Sequence, residues 1–325
     1  MKAKLFMTMA AATMILAGCS NDENEPADNW NGEIRLSSGV TAQTRANTQA
    51  TQILNGETVY AWVDKASSTP PDYIKAWTLT AGNSGSFTGS SKYYPTDGSK
   101  LEFYALHGNF ASGTFTENTT AFPSTAVVHS VAADQSGSDM GNYAKSDLLY
   151  AVKKEVERSS DAVQLTFYHI LSKIEVALKA GDGNPDLSGA TVTIEGTKLK
   201  ADFTPSKSAT IPDDCGDMVS ATSSDNNPAP IKIGNATSTD FSGNPTYNEA
   251  VIVPQTLSSG TAFIQIKLSD NSSLVYNLEM ETKFASGKKY IYHITAKKSG
   301  LTVTSTIADW EAVSSTPTSG DAEMQ

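Results

Sequence analysis

The chain has 325 residues, 39% hydrophobic and 18% charged, which is enough apolar content for two domains of ordinary size and excludes a wholly disordered polymer. Lys and Arg number 24 against 35 Asp and Glu, for a formal net charge of −11. That balance leaves no basic stripe to displace counterions from phosphate, so nucleic acid is a poor partner.

The first 18 residues carry Lys2 and Lys4, then an apolar run from Leu5 to Leu16, then Leu16-Ala17-Gly18-Cys19. The run is too short to span a bilayer comfortably, and small residues precede the cysteine. The segment resembles a bacterial lipoprotein signal, in which Cys19 becomes the lipidated first residue and ties the chain to the outer membrane. An ordinary signal peptide that contains a cysteine is the alternative. With Cys19 spent on processing, Cys215 is a single thiol, read as a buried small hydrophobe, and no disulfide framework is expected. Residues 19–32 include Ser20-Asn21-Asp22-Glu23-Asn24-Glu25, which is polar, acidic and aperiodic, and are expected to be a flexible tether. The acidic run is similar to the export signal that carries Bacteroidales lipoproteins to the outer face of that membrane; a solvated linker with no address is the other reading.

From residue 33 the pattern is strand, turn, strand, with period-two alternation and almost no apolar repeat at helical spacing, so the fold class is all-β. Strands are predicted at 33–40, 58–63, 74–79, 100–106, 126–131 and 148–152 in the first half. In the second half they are predicted at 163–180 (one or two strands), 191–194, 249–253, 262–268, 273–279, 290–296 and 301–307. The charged stretch 153–162 lacks apolar anchors and is taken as the break between two sandwiches, residues 33–157 and 158–312, followed by a polar tail, 313–325. Residues 204–248 hold Pro205, Pro212, Pro228, Pro230 and Pro245 among Asn, Ser and Asp, a composition of long loops.

Catalytic constellations are weak. His107, His129, His169 and His293 form no HxH or HxxxH pair, and there is no GxSxG, P-loop or GxGxxG. His169 and His293 sit in alternating strands, where a hydrogen-bonded sheet histidine is a better reading than a metal ligand. Asp213-Asp214 and Asp22-Glu23 read as solvated loop carboxylates without EF-hand spacing. Tyr60, Trp62, Trp77, Tyr93, Tyr94, Phe103 and Tyr104 lie in or beside strands and read as core or sheet-face packing before a glycan platform. No catalytic residue, metal site or cofactor is assigned, and an interaction or structural protein is the favoured class.

Several strings taken together resemble the fimbrillin family, the subunits and accessory proteins of Bacteroidales type V pili. They are the lipobox, Thr44-Arg45-Ala46, Tyr94-Pro95 followed by Leu101-Glu102-Phe103-Tyr104-Ala105, and Asp147-Leu148-Leu149-Tyr150-Ala151. Further along come Leu165 to Ile174, Val251-Ile252-Val253-Pro254-Gln255, Phe284 to Tyr290, and Ala308-Asp309-Trp310. Their order covers residues 1 to about 312. The resemblance implies two tandem transthyretin-like, Ig-like Greek-key β-sandwich domains, and assembly by protease-triggered strand exchange with other pilus subunits. In that scheme an Arg-specific cut follows Arg45, Ala46 becomes the new first residue, and residues 19–45 leave with the lipid.

The residues make physical sense of the scheme. Ile34, Leu36, Val40 and Ala42 share a parity, so one face of an N-terminal strand is apolar, and the polar stretch behind it suits a protease. Removing such a strand exposes a groove with unpaired backbone groups, a template for a strand from a neighbour. The equally open reading of Arg45 is an exposed linker arginine. Residues 311–325 have no alternating apolar face, so the chain is expected to accept a strand without giving one, as a tip or accessory subunit would, unless 301–307 is itself donated; an anchor that keeps its lipid is the other position. The competing function is a monomeric surface lipoprotein that binds glycans through its aromatics.

Overall fold

The computed structural model describes residues 30–40, 53–137, 141–221, 227–242 and 245–310. Cys19, Arg45, Ala46 and the tail after Trp310 lie outside the described residues. Among those described, the first half holds β1 (Leu36–Val40), β2 (Thr58–Lys65), β3 (Asp72–Ala81), β4 (Phe87–Gly89), β5 (Leu101–His107), β6 (Val127–Ser130), the short helix α1 (Gly141–Ser146), β7 (Leu149–Val156) and β8 (Val163–His169). The second half holds β9 (Ser172–Ala180), β10 (Thr191–Ile194), β11 (Lys200–Phe203), β12 (Val219–Ala221), β13 (Ile231–Ile233), β14 (Asn248–Ile252), β15 (Gln255–Leu257), β16 (Ala262–Lys267), β17 (Ser273–Asn277), β18 (Thr282–Phe284), β19 (Lys288–Lys297) and β20 (Gly300–Asp309). The all-β class is confirmed. The proline-rich stretch expected as loop contains two three-residue strands, β12 and β13, too short to produce a periodic signal.

The first half builds a seven-stranded sheet in the order β1-β8-β7-β5-β2-β3-β4. Its strands keep the two-residue period: in β8, Val163, Leu165, Phe167 and His169 are buried while Gln164 and Thr166 face out. Over Tyr60, Trp62 and Tyr104 lies an aromatic cover from the β5–β6 connection. Phe115 meets Tyr60 and Trp62 at ring-centroid distances of 4.8 and 5.1 Å, and Phe122 meets Trp62 and Tyr104 at 5.7 and 5.4 Å. Trp62 Nε1 donates to the Thr120 carbonyl at 2.9 Å, so the cover is pinned as well as packed.

The second half packs two four-stranded sheets, β13-β10-β16-β17 and β14-β9-β19-β20, against each other. Phe263 of β16 and Tyr276 of β17 meet Tyr292 of β19 at 5.5 and 5.8 Å, and Ile174, Val176, Leu178, Val192, Ile194, Ile264 and Ile266 fill the space between. The predicted run 163–180 resolves into two strands joined at Ile170 and Leu171, where the chain passes from the seven-stranded sheet to the sandwich. The expected break at 157/158 falls between β7 and β8, which pair with each other through Leu149↔His169 and Tyr150↔Tyr168. The three-stranded sheet β12-β11-β6 draws β6 from before that break and its other strands from after it.

Candidate functional site: the first strand and its seam

Ile34 and Leu36 are 4% and 7% exposed, so the predicted apolar face of the first strand is buried. The same parity places Ser38, also buried, where its Oγ donates to the Gly85 carbonyl at 3.3 Å. Val40 is paired with Phe167, and Ala42 lies outside the described residues.

The two edges of this strand are held differently. Along one, β1 runs parallel to β8 over five pairs from Leu36↔Val163 to Val40↔Phe167, and the Val163 amide donates to the Arg35 carbonyl at 2.8 Å. Along the other there are isolated antiparallel bridges, Glu33↔Tyr93 and Ser37↔Ser86. The Ile34 amide donates to the Lys92 carbonyl at 2.7 Å and the Tyr94 amide to the Gly32 carbonyl at 2.9 Å. In the sheet order β1 and β4 stand at opposite ends, yet the residues flanking β4 touch β1, so β1 closes a seam. Gly85 permits this approach: its φ is +73°, and a Cβ there would stand 2.5 Å from the Ser38 carbonyl oxygen. Phe87 and Phe167, from the two sides of the seam, have ring centroids 6.4 Å apart.

The four histidines that sequence reading singled out are each engaged by neighbouring residues, whereas Asp213 is exposed, Asp214 is half-buried, and Asp22-Glu23 lie outside the described residues. His129 accepts from the Asn109 amide at 3.0 Å through Nδ1 and reaches the Ser146 carbonyl at 2.9 Å through Nε2, which suits a neutral ring; burial pushes its pKa down to about 4. His107 lies between the Thr58 and Ala144 carbonyls at 2.9 and 3.1 Å. His169 has its Nδ1 3.0 Å from Asp147 and its ring stacked on Trp310 at 4.0 Å; both members of the His–Asp pair are sealed from solvent, so no substrate reaches them. His293 meets the Tyr247 hydroxyl at 3.1 Å and stacks on Phe241. Among the described residues no group of three or more His, Cys, Asp or Glu is placed to hold a metal.

A buried ionic cluster escaped the sequence reading because strands with two covered faces lose their alternation. Lys173 sits with Glu175 at 2.9 Å and Glu249 at 3.0 Å, and all three are buried. Burial alone would push the Lys173 ammonium down, but the two carboxylates outweigh it and hold its pKa above the ordinary value; burial raises that of Glu249 against the pull of Lys173. The edge of β14 beside this cluster is closed by Gln135, whose side-chain amide gives to the Val251 carbonyl at 2.9 Å and takes from the Val251 amide at 2.8 Å.

Of the aromatics weighed as a platform, Trp62, Trp77, Tyr94, Phe103 and Tyr104 are core and Tyr60 is half-buried against it, whereas Tyr93 is 45% exposed.

The model of the fimbrillin-like family matches residues 44–310. A chain described as a candidate fimbrium subunit, Fim1C, of Bacteroides uniformis is 24% identical over 99% of this chain and 100% of its own length. Among solved structures, a candidate cell adhesion protein of Bacteroides uniformis superposes with a TM-score of 0.59 at 18% identity, covering 86% of this chain and 98% of its own. One from Bacteroides ovatus gives 0.57 at 14% identity over 86% and 97%. The tip fimbrial protein Mfa3 of Porphyromonas gingivalis, truncated at its C-terminus, gives 0.50 at 8% identity over 86% and 99%.

Proposed function

The chain belongs to the fimbrillin-like family, and from that premise we propose that it is the lipoprotein precursor of a surface pilus subunit which polymerises when its first strand is replaced by a strand from another subunit. Membership makes it a fimbrial structural subunit that associates with other subunits at the cell surface; the route is our reading. Cys19 carries the lipid that holds the precursor at the outer membrane. Cleavage after Arg45 makes Ala46 the first residue and frees residues 19–45, which include Ile34, Leu36 and Val40.

The observation that carries this reading is the position of β1 at a seam, paired along one edge with β8 and stitched along the other by single bridges. While it is covalently joined, the strand meets its slot at an effective concentration in the millimolar range; once cut it is diluted to that of a free peptide. The vacated slot then offers facing backbone edges at β8 and at residues 86–94, together with the apolar space left by Ile34 and Leu36. A tip or accessory position suits the polar composition of residues 311–325, since a donated strand needs an apolar face. Two tandem sandwiches, with the crossing near Ile170, are the domain organisation that fits this scheme.

The test is treatment of the purified precursor with an Arg-specific protease, followed by N-terminal sequencing and native electrophoresis. An Ala46 terminus is expected, together with a shift to a larger complex when a strand-donating fimbrial subunit is added, and Arg45→Ala abolishes both. An intact product, or cleavage and assembly unchanged in R45A, overturns the assignment.

A further inference from the structure

Beside the seam, β3 departs from regular pairing. Its register against β2 passes from Ala61↔Trp77 to Val63↔Ile74, so Lys75 and Ala76 together stand opposite Trp62. Ala76 takes φ +43°, a backbone state costly for any residue with a side chain, and the bulge it makes turns the Lys75 carbonyl away from the ladder. The Asn118 amide donates to that carbonyl at 2.8 Å, and Asn118 itself has φ +63°. The hydrogen bond thus ties left-handed Asn118 to the residue preceding left-handed Ala76, and Asn118 lines one cleft with Tyr73 and Tyr93. Strain of this kind persists where the surroundings enforce it, and it concentrates at binding sites.

The result is an open cleft of about 480 Å³ lined by Tyr73, Lys75, Ser91, Lys92, Tyr93 and Asn118. Tyr73 is oriented by its hydroxyl, which donates to the Tyr93 carbonyl at 2.7 Å. Lys92 donates to Asn118 Oδ1 at 2.7 Å, which fixes the amide with its Nδ2 hydrogens left over. Among the described residues, the hydroxyls of Ser91 and Tyr93 likewise meet no hydrogen-bond partner. Each lysine has a counter-charge just outside the lining, Lys75 in Asp72 at 3.6 Å, shared with Lys207, and Lys92 in Glu117 at 3.3 Å, so the charge at the cleft is compensated by its surroundings.

We propose that this cleft binds a neutral pyranose unit of a saccharide. Exposed aromatic rings accept the C–H face of a sugar, while the spare amide and hydroxyl groups around them meet its hydroxyls, and a balanced charge gives no preference for an acidic sugar. A cut after Arg45 removes none of its six residues, although Lys92 and Tyr93 border the slot through the Ile34 amide and the Glu33 bridge, so the site is tested on the uncleaved chain.

The experiment uses the purified full chain on an array of neutral and sialylated oligosaccharides, with calorimetric titration of the neutral oligosaccharide that binds best. Binding to a neutral oligosaccharide is expected, and Tyr93→Ala and Asn118→Ala should each weaken it about tenfold, about 1.4 kcal/mol. Tyr73→Phe keeps the ring and loses only the orienting hydrogen bond, so it should weaken binding by a smaller factor with the fold intact by circular dichroism. Absence of binding to any neutral oligosaccharide, a preference for the sialylated ones, or affinity unchanged in Y93A and N118A overturns the proposal.

Discussion

The strand-exchange reading can be tested with the first strand as a reagent. After cleavage, a fluorescent peptide of residues 32–45 competes with the released fragment for the slot, and its affinity measures what β1 contributes. Ile34 and Leu36 are almost wholly removed from water. Truncating a buried Ile or Leu to Ala costs about 2 to 5 kcal/mol, and a seam that can partly collapse belongs near the lower bound. The double variant I34A/L36A should therefore bind about 4 kcal/mol more weakly, roughly a thousandfold in dissociation constant. Replacing the outward-facing Arg35 by Ala should change affinity by no more than a fewfold, because its side chain is exposed and its hydrogen bond to the Ser160 carbonyl is long, at 3.4 Å. The assay is fluorescence anisotropy on the cleaved body. Equal affinity of the wild-type and I34A/L36A peptides, or a cleaved protein that never exchanges its fragment, would refute the reasoning.

Three further substitutions test the framework around the seam and the core. Gly85→Ala sets a Cβ against the Ser38 carbonyl at 2.5 Å in a left-handed backbone, so it should loosen β1 by about 1 to 3 kcal/mol, seen as faster amide exchange at residues 36–38. Lys173→Met takes the shared cation from buried Glu175 and Glu249, leaving Glu175 only Lys289 at 3.6 Å, and should lower stability by about 3 to 5 kcal/mol in urea unfolding, with K173M/E175Q/E249Q recovering much of the loss. His129, held near pKa 4 by burial with His107 and Asp147 facing it, takes up its proton only after the unfolded chain has done so near 6.5. Its contribution is therefore complete above pH 6.5 and lost as pH falls toward 4; wild type should lose on the order of 3 kcal/mol more than H129Q across that window.

What the sequence made legible follows from periodicity. Strands with one wet face, such as β8 and β19, announce themselves by alternation, and Ile34 and Leu36, two of the four residues read as one apolar face, are buried. Alternation is silent where both faces are covered, as in β9, whose residues from Ser172 to Leu178 are all buried; the Lys173 cluster was hidden for that reason. Strands of three residues, such as β4, β12 and β13, are too short to carry a period. Tyr73, Ser91 and Asn118 were missed because a bulge and one backbone hydrogen bond bring them together, and neither leaves a mark in the spacing of residue types.

On the proposed route the first strand is displaced and not the last, and the reason lies in where its partners sit in the chain. Every neighbour of β1 is remote in sequence: β8 begins at Val163, and the opposing bridges fall at Ser86 and Tyr93. No hairpin depends on it, so the other six strands keep all their mutual pairings when it leaves, and the cost is confined to its own ladder and its two buried aliphatics. The last strand is placed in the opposite way. β20 forms a hairpin with β19 over ten pairs from Lys288↔Asp309 to Lys297↔Gly300, and Trp310 closes its end by stacking on His169. Extracting it would strip the whole outer edge of β19 and unseat a buried tryptophan. The parallel ladder of β1 is also the weaker kind per residue. On these grounds a cut between β1 and β2 opens a slot while leaving the rest of the sheet standing, the condition that an incoming strand from another subunit requires.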